Sequence, residues 1–299
     1  MTTTPGPTPP LPLRFGYGTN GFGDHTLDDA LMVLADLGYQ GVALTLDPRH
    51  LDPFADDLSQ RVRRLAARLD RLGLAVVVET GGRYVLDPWR KHQPVLMSDE
   101  GTERRVDLLL RAVRIAAELG AEAVSFWSGT PDPHLPEHTV WDRLLAGCAQ
   151  VVEAAERAGV PLGFEPEPGM FVDTLDAYDE LSRRLGNPDV FGLTLDIGHC
   201  RCLEPQSVAD CVRRVAGRLV NVQIDDMRRG VHEHLEFGTG EIDFPPVLAA
   251  LADTGYRGLV AVELPRHSHA AVTVAADSLA FLRTAEHSAR AAVRKEAVA

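Results

Sequence analysis

Eight short apolar runs recur along the chain at intervals of roughly 30 residues, and this repeat limits the possible folds more than any other feature. The runs are RFGYG (14–18), GVALTL (41–46), LAVVVE (74–79), AVSFW (123–127), PLGFE (161–165), FGLTLD (191–196), LVNVQI (219–224) and GLVAVE (258–263). Segments between them place apolar residues three and four apart, as in LDDALMVLADLG (27–38), LSQRVRRLAARLDRLG (58–73) and RRVDLLLRAVRIAAELG (104–120). That is the period of an amphipathic helix. Several of these patterns end on glycine, at Gly38, Gly73, Gly120, Gly159 and Gly255, a residue that enters the left-handed C-cap conformation without steric cost. A helical pattern over 270–284 completes the eighth unit. Strands that are apolar on both faces must be covered on both. Eight strand–helix units therefore predict a closed α/β barrel of the (β/α)8 type in one domain. An open, doubly wound sheet is the alternative, but no G-x-G-x-x-G follows an early strand to mark a dinucleotide site.

With 299 residues the chain is long enough for one such barrel. Residues 1–12 are expected to form a disordered leader, 13–287 the barrel, and 288–299 a helical extension or a flexible tail. Ser98 or Asp99 is expected to cap the long helix near 104–120, with Glu103 close by. The leader lacks the basic and long apolar regions of a secretory signal. No apolar run reaches 18 residues, so no membrane partner is expected and the cytoplasm is the expected location. Basic residues number 30 against 43 acidic ones, a formal charge of −13. Duplex nucleic acid selects a basic surface and is not an expected partner. Cys148, Cys200, Cys202 and Cys211 lack the usual zinc-pair spacing and are read as incidental thiols in a reducing compartment.

The chemistry is expected where strands end, because the C-terminal strand ends of such a barrel converge on one mouth. Carboxylates stand there in four late units: Glu165, Asp196, Asp225 with Asp226, and Glu263. An isolated buried carboxylate is costly unless something positive holds it, and a divalent cation is the simplest such partner. His199 follows Asp196 by three residues, and the intervening glycine of D-I-G-H is expected to turn the chain so that both reach the same opening. In F-E-P-E-P-G, alternation sends Glu165 and Glu167 to one side: Glu165 as a metal ligand, Glu167 towards substrate or an arginine. A surface acidic loop is the competing reading. Gln223 and Asp225 share a face, and Asp226 points towards the helices or a loop partner. Next, R-R-G-V-H-E-H-L-E-F-G-T-G-E presents Arg228, His232 and His234 on an expected loop, where the histidines can reach a metal or bind hydroxyls. Gly238 and Gly240 can cradle an anionic group. Glu79 ends the third strand, followed by Arg83 and by the polar stretch with Trp89, Arg90, Lys91 and His92, which reads as a substrate lid. Trp127 ends the fourth strand and is expected either to stack on a substrate ring or to pack at the rim.

Together Glu165, LDIGH (195–199), NVQIDD (221–226), FGTGEIDF (237–244) and VEL (262–264) resemble the xylose-isomerase-like TIM-barrel superfamily over about 14–285. It includes sugar epimerases and isomerases, inosose dehydratases and endonuclease IV. The resemblance implies one divalent metal ion (Mn, Mg, Co, Zn or Fe) held by Glu165, Asp196, Gln223 and Glu263, with His199 binding substrate. Glutamine departs from the histidine usual at position 223. His234 matches a histidine that the nuclease members use for an additional metal, and can compensate. Those members also carry metal-binding histidines where this chain has Glu79 and Trp127, which argues against DNA repair. The implied activity is isomerisation or epimerisation of a small polyhydroxy carbonyl compound (a sugar, ketose or cyclitol) through an enediolate. Glu165 and Glu263 exchange the proton, His199 orients an oxygen, and Glu79, Arg83, Trp127, Glu167, Arg228 and His232 contact substrate. A dehydratase of the inosose type and a non-catalytic binding protein on the same barrel are the rival readings. A homodimer is expected.

Overall fold

The computed structural model describes residues 12–296, with side chains to residue 291. Ten strands are present among them: β1 (Arg14–Gly18), β2 (Gly41–Thr45), β3 (Ala75–Glu79), β4 (Val124–Phe126), β5 (Leu162–Phe164), β6 (Phe191–Asp196), β7 (Leu219–Ile224), β8 (Asp226–Arg228), β9 (Val231–Leu235) and β10 (Leu259–Val262). Eight of them close into a parallel barrel in the order β1-β10-β7-β6-β5-β4-β3-β2, so the open-sheet alternative is excluded. The chain is a single-domain (β/α)8 TIM barrel. The other two strands, β8 and β9, form an antiparallel hairpin inserted after β7. The barrel strands match the eight apolar runs to within a residue or two at each end.

The helices are α1 (Leu27–Leu37), α2 (Leu58–Leu72), α3 (Thr102–Leu119), α4 (Glu137–Ala158), α5 (Leu175–Arg184), α6 (Ile197–Leu203), α7 (Val208–Val215), α8 (Phe244–Asp253) and α9 (Ala271–Glu296). Their apolar stripes pack on the outer barrel face: in α2, for example, Val62, Leu65 and Leu69 are the buried positions. Each fully buried side chain of this kind stabilises the fold by about 1.5–3 kcal/mol relative to exposure. The glycines after α1, α2, α3 and α4 adopt left-handed caps as expected. The start of α3 differs from the expectation. Its N-cap is Gly101, with φ 78° and no side-chain cap. Ser98 instead uses its carbonyl to accept from Thr102 Oγ1 at 2.7 Å, and Asp99 pairs with Arg143 at 2.6 Å. The expected leader lies outside the described residues except for Pro12, and α9 runs unbroken through the expected tail as far as Glu296. No described helix is long and apolar enough to cross a membrane.

Strand alternation sets what faces the barrel axis. At the bottom, Val77 of β3 and Leu259 of β10 pack together with Ala123. Gly41 leaves the room that Leu259 fills, because any Cβ there would collide with it. Above this layer the interior is polar. Thr194 donates to Ser125 Oγ at 2.9 Å, and Asn221 donates to Glu79 Oε1 at 3.2 Å. The β6–β7 register slips, with Leu193 opposite Leu219 but Thr194 opposite Asn221, which leaves Val220 as an unpaired extra residue. That bulge puts Asn221 and Gln223 in phase with the inward-facing Thr194 and Asp196.

Candidate functional site

The top layer of the barrel opens into a cavity of about 680 Å³, within the range of small-molecule sites. Glu79, Glu165, Glu167, Gln223 and Glu263 line it, with His199, His232 and His234. Asp196 sits just behind, buried, and opposite Gln223 in register. The four expected ligands from β5, β6, β7 and β10 are therefore gathered at one end of the barrel.

Asp196 is also the N-cap of α6: its Oδ1 accepts from the His199 backbone N–H at 2.8 Å. The short helix, rather than a turn at glycine, is what carries His199 back to the mouth. Gly198 has a different task. A Cβ there would collide with Asp225 Oδ1, so glycine lets the buried Asp225 approach. Asp225 in turn takes His234 Nδ1 as its partner, leaving Nε2 as the free nitrogen of that ring. Donor atoms of Asp196, His234 and Glu263 lie within 4.8 Å of one another, as do those of Glu165, Asp196 and His199, and those of the three histidines.

Electrostatically the cluster is overloaded with negative charge. Burial, reinforced by Glu263, Glu167, Asp196 and Glu79, pushes Glu165 well above the ordinary carboxylate range. Burial and then Glu263 raise Glu79 and Glu167 to about 8, and burial raises Glu263. Burial opposes charge on His234, but the Asp225 carboxylate outweighs it and carries the imidazole up to about 10. Burial takes His199 and His232 down to about 4. Both rings are therefore neutral near pH 7, and their tautomers follow. His199 Nδ1–H donates to the Pro166 carbonyl at 3.1 Å, and its Nε2 accepts from His232 Nε2–H at 3.1 Å. Asp196 Oδ2, Gln223 Oε1 and Asp225 Oδ1 are buried without any hydrogen-bond partner. Buried acceptors are rarely left so. The orphaned oxygens of Asp196 and Gln223, beside crowded carboxylates, are donors of the kind a hard or borderline divalent cation takes, and the residues fit one.

Several expectations need correction. His232 and His234 are not on a loop but on strand β9 of the hairpin. Alternation along that strand aims both at the cavity. Gly238 and Gly240 do cradle an anionic group, but it is the chain's own Asp226. Asp226 Oδ2 accepts from both glycine N–H groups at 2.9 Å, and Oδ1 accepts from Met227 and Ile242 at 2.9 and 3.1 Å. These donors are not free for a substrate phosphate. Arg228 does not line the cavity. It is exposed and donates to the Thr239 carbonyl at 2.6 Å, because β8 turns its side chain towards the glycine loop. The segment after β3 is anchored in its second half, where Val95, Leu96 and Met97 are buried. Buried Arg105 donates to the carbonyls of Pro94 and His92 at 2.8 and 2.7 Å, with its guanidinium 4.9 Å from the Trp127 ring. Trp127 thus lines the cavity while packed between Arg105 and His92. Of the expected lid residues, Lys91 and His92 reach the cavity; Trp89 is 90% exposed and Arg90 pairs with Asp87.

Asn20 and Asn221 were not anticipated. Asn20 donates to Glu263 Oε1 at 3.0 Å, as Asn221 does to Glu79. Asn221 carries a readable signal, a polar residue inside an apolar strand two places before Gln223. Asn20 follows the first strand in a glycine-rich stretch with no such mark.

A family model described as xylose isomerase-like TIM barrel matches residues 31–285. The uncharacterized protein MJ1311 of Methanocaldococcus jannaschii is 24% identical over 264 residues, covering 85% of this chain and 84% of that protein. L-ribulose-5-phosphate 3-epimerase UlaE of Shigella flexneri is 25% identical over 228 residues, covering 75% of this chain and 80% of the enzyme. The solved structure of an L-ribulose 3-epimerase superposes with a TM-score of 0.75 at 22% identity, covering 95% of this chain and 97% of that one, a likeness of fold.

Proposed function

The chain belongs to the xylose isomerase-like TIM-barrel family, and from that premise we propose that it is a divalent-metal-dependent epimerase or isomerase of a small sugar. The observation that carries this reading is the set of orphaned buried oxygens on Asp196 and Gln223 among buried carboxylates that outnumber the cations beside them. Glu165, Asp196, Gln223 and Glu263 hold the ion. His234, with Nδ1 fixed by Asp225, would supply the imidazole that position 223 lacks, the ion displacing its Nε2 proton. When bound, the ion supplies electrophilic pull on the substrate carbonyl, which acidifies the neighbouring C–H.

The remaining work falls to side chains of the cavity. Glu165 and Glu263 act as the proton-exchanging pair: one takes the proton beside the carbonyl, and the other returns it. Return to the opposite face of the same carbon inverts that centre, and return to the adjacent carbon moves the carbonyl. Asn20 fixes the rotamer of Glu263 through Oε1. His199, neutral and tied through Nδ1 to the Pro166 carbonyl, faces His232 Nε2 across the cavity wall, and a substrate oxygen that takes the place of that His–His contact is positioned by both rings. Glu79, held by Asn221, accepts from a substrate hydroxyl.

Protein loaded with manganese and incubated with ketopentoses and ketohexoses in heavy water should incorporate deuterium next to the carbonyl and yield the epimer or isomer. The reading fails if metal-saturated protein exchanges no carbon-bound proton on any ketose, or if elemental analysis and titration detect no divalent ion bound at stoichiometry.

A further inference from the structure

Two cations on the rim of the cavity have no acidic partner. Arg83 and Lys91 both line the opening from the loop after β3, and neither forms an ion pair among the described residues. Their neighbours on the rim do: Arg49 faces Asp24 at 3.6 Å, and Arg266 faces Glu233 at 3.3 Å. Arg83 makes one long contact, to the Pro265 carbonyl at 3.4 Å, and Lys91 makes no side-chain hydrogen bond. The composition sharpens the contrast. The chain carries 28 arginines and only two lysines, at 91 and 295, within a formal charge of −13. One of its two lysines therefore stands over the cavity.

The loop is built to keep this pair together. The His92 N–H donates to the Arg83 carbonyl at 2.7 Å, which sets Lys91 beside the segment that carries Arg83. Arg105 ties the same strand of the loop down through the His92 and Pro94 carbonyls. Gly82 packs so closely on the Leu46 carbonyl that no Cβ fits, while a Cβ on Gly81 would meet only the Trp127 indole nitrogen, at 3.6 Å. The backbone thus leaves the way open between the rim and the cavity floor.

The cavity is therefore bipolar, with carboxylates and the metal donors at its floor and two uncommitted cations at its edge. A ligand complementary to it carries hydroxyl and carbonyl oxygens at one end and concentrated negative charge at the other. We propose that Arg83 and Lys91 form the subsite for the terminal phosphate of a phosphorylated ketose, so that the substrate is a sugar phosphate rather than a free sugar. This rests on the epimerase reading above. A phosphate, near two negative charges at neutral pH, matches two cations; a sugar acid supplies half that charge. The Asp226 loop is closed to phosphate because its N–H groups are already used.

Calorimetric titration of the manganese-loaded protein with ribulose 5-phosphate, ribulose, ribonate and inorganic phosphate tests the assignment. Ribulose 5-phosphate should bind about tenfold to a hundredfold more tightly than ribulose, the range of charge-assisted hydrogen bonds, with ribonate well behind. The gap should narrow with salt and collapse in Arg83→Ala/Lys91→Ala. Both side chains are exposed, and an unchanged melting temperature verifies that the double variant folds. Equal affinity for phosphorylated and free ketose overturns the subsite, as does a gap that survives the double variant. Ribonate binding as tightly as the phosphate ester overturns it in favour of a carboxylate. Deuterium exchange separates the two proposals. Exchange on ribulose without any phosphate preference removes the subsite and leaves the epimerase, whereas phosphate preference without exchange on any sugar removes the epimerase.

Discussion

Replacing Glu79 with glutamine measures how far the floor of the cavity is penalised for holding negative charge. Glu79 is buried, and burial, with Glu263 and Asp196 adding repulsion, moves its carboxyl from 4.5 up to about 8 against the opposing hydrogen bonds of Ser125 and Asn221. A raised acid pKa in the fold means the folded protein holds the proton more tightly than the unfolded chain. The associated stability is fully present below pH 4.5 and is lost as pH climbs through about 8. At about 1.36 kcal/mol per unit, the loss reaches about 3 kcal/mol at pH 7 and about 5 kcal/mol well above pH 8. Glutamine keeps the acceptor that Asn221 uses and never ionises. In the metal-free protein, the stability of Glu79→Gln relative to wild type should therefore climb by about 3 kcal/mol between pH 4.5 and pH 7. Any offset from repacking the amide is independent of pH and subtracts out. Urea midpoints in the presence of a chelator, taken at half-unit steps from pH 4.5 to 8.5, provide the curve. Manganese should flatten it, because the cation screens the same carboxylates. A stability difference that stays constant over that range would refute the argument that burial and mutual repulsion load the site.

Glu263→Gln should lower the exchange rate by about 10²- to 10⁴-fold, the usual worth of a positioned acid–base group, and weaken manganese binding in a fluorescence competition assay. Gly198→Ala drives a methyl into Asp225 Oδ1 and should cost about 1–3 kcal/mol in urea unfolding, as overpacked sites do. Asp226→Ala strands four backbone N–H groups of the hairpin loop. It should destabilise by at least about 3 kcal/mol and expose the 236–242 amides to hydrogen exchange.

The barrel is legible in the sequence because each strand run is largely apolar and the first four helices end at glycine, so that period and punctuation agree. Glu165, Asp196 and Glu263 are legible for a related reason: a carboxylate that terminates an apolar strand has few other places to go. What surrounds them is harder to read. The hairpin β8–β9 looks like a polar loop because its strands are short and the apolar residues of β9, Val231 and Leu235, are separated by His-Glu-His, so hydropathy carries too little period there. Arg228 and Arg83 look alike in sequence. A three-residue strand turns Arg228 onto Thr239, while the loop beyond β3 leaves Arg83 at the cavity. The glycines of F-G-T-G-E suggest an anion cradle correctly, yet nothing local reveals that Asp226, twelve residues earlier, already fills it. Asp225 and Asp226 are adjacent and chemically identical, and only their opposite facings give one to His234 and the other to the glycine loop.

That last division of labour makes residues 223–242 a cassette. One aspartate steers an imidazole into the cavity and its neighbour buckles the return path onto the same strand end, so the hairpin cannot shift without dragging β7 along. A recipient barrel given only the H-x-H segment would receive its rings unsupported. Transplanted whole, with both aspartates and a glycine at the place of Gly198, the segment carries its own alignment with it.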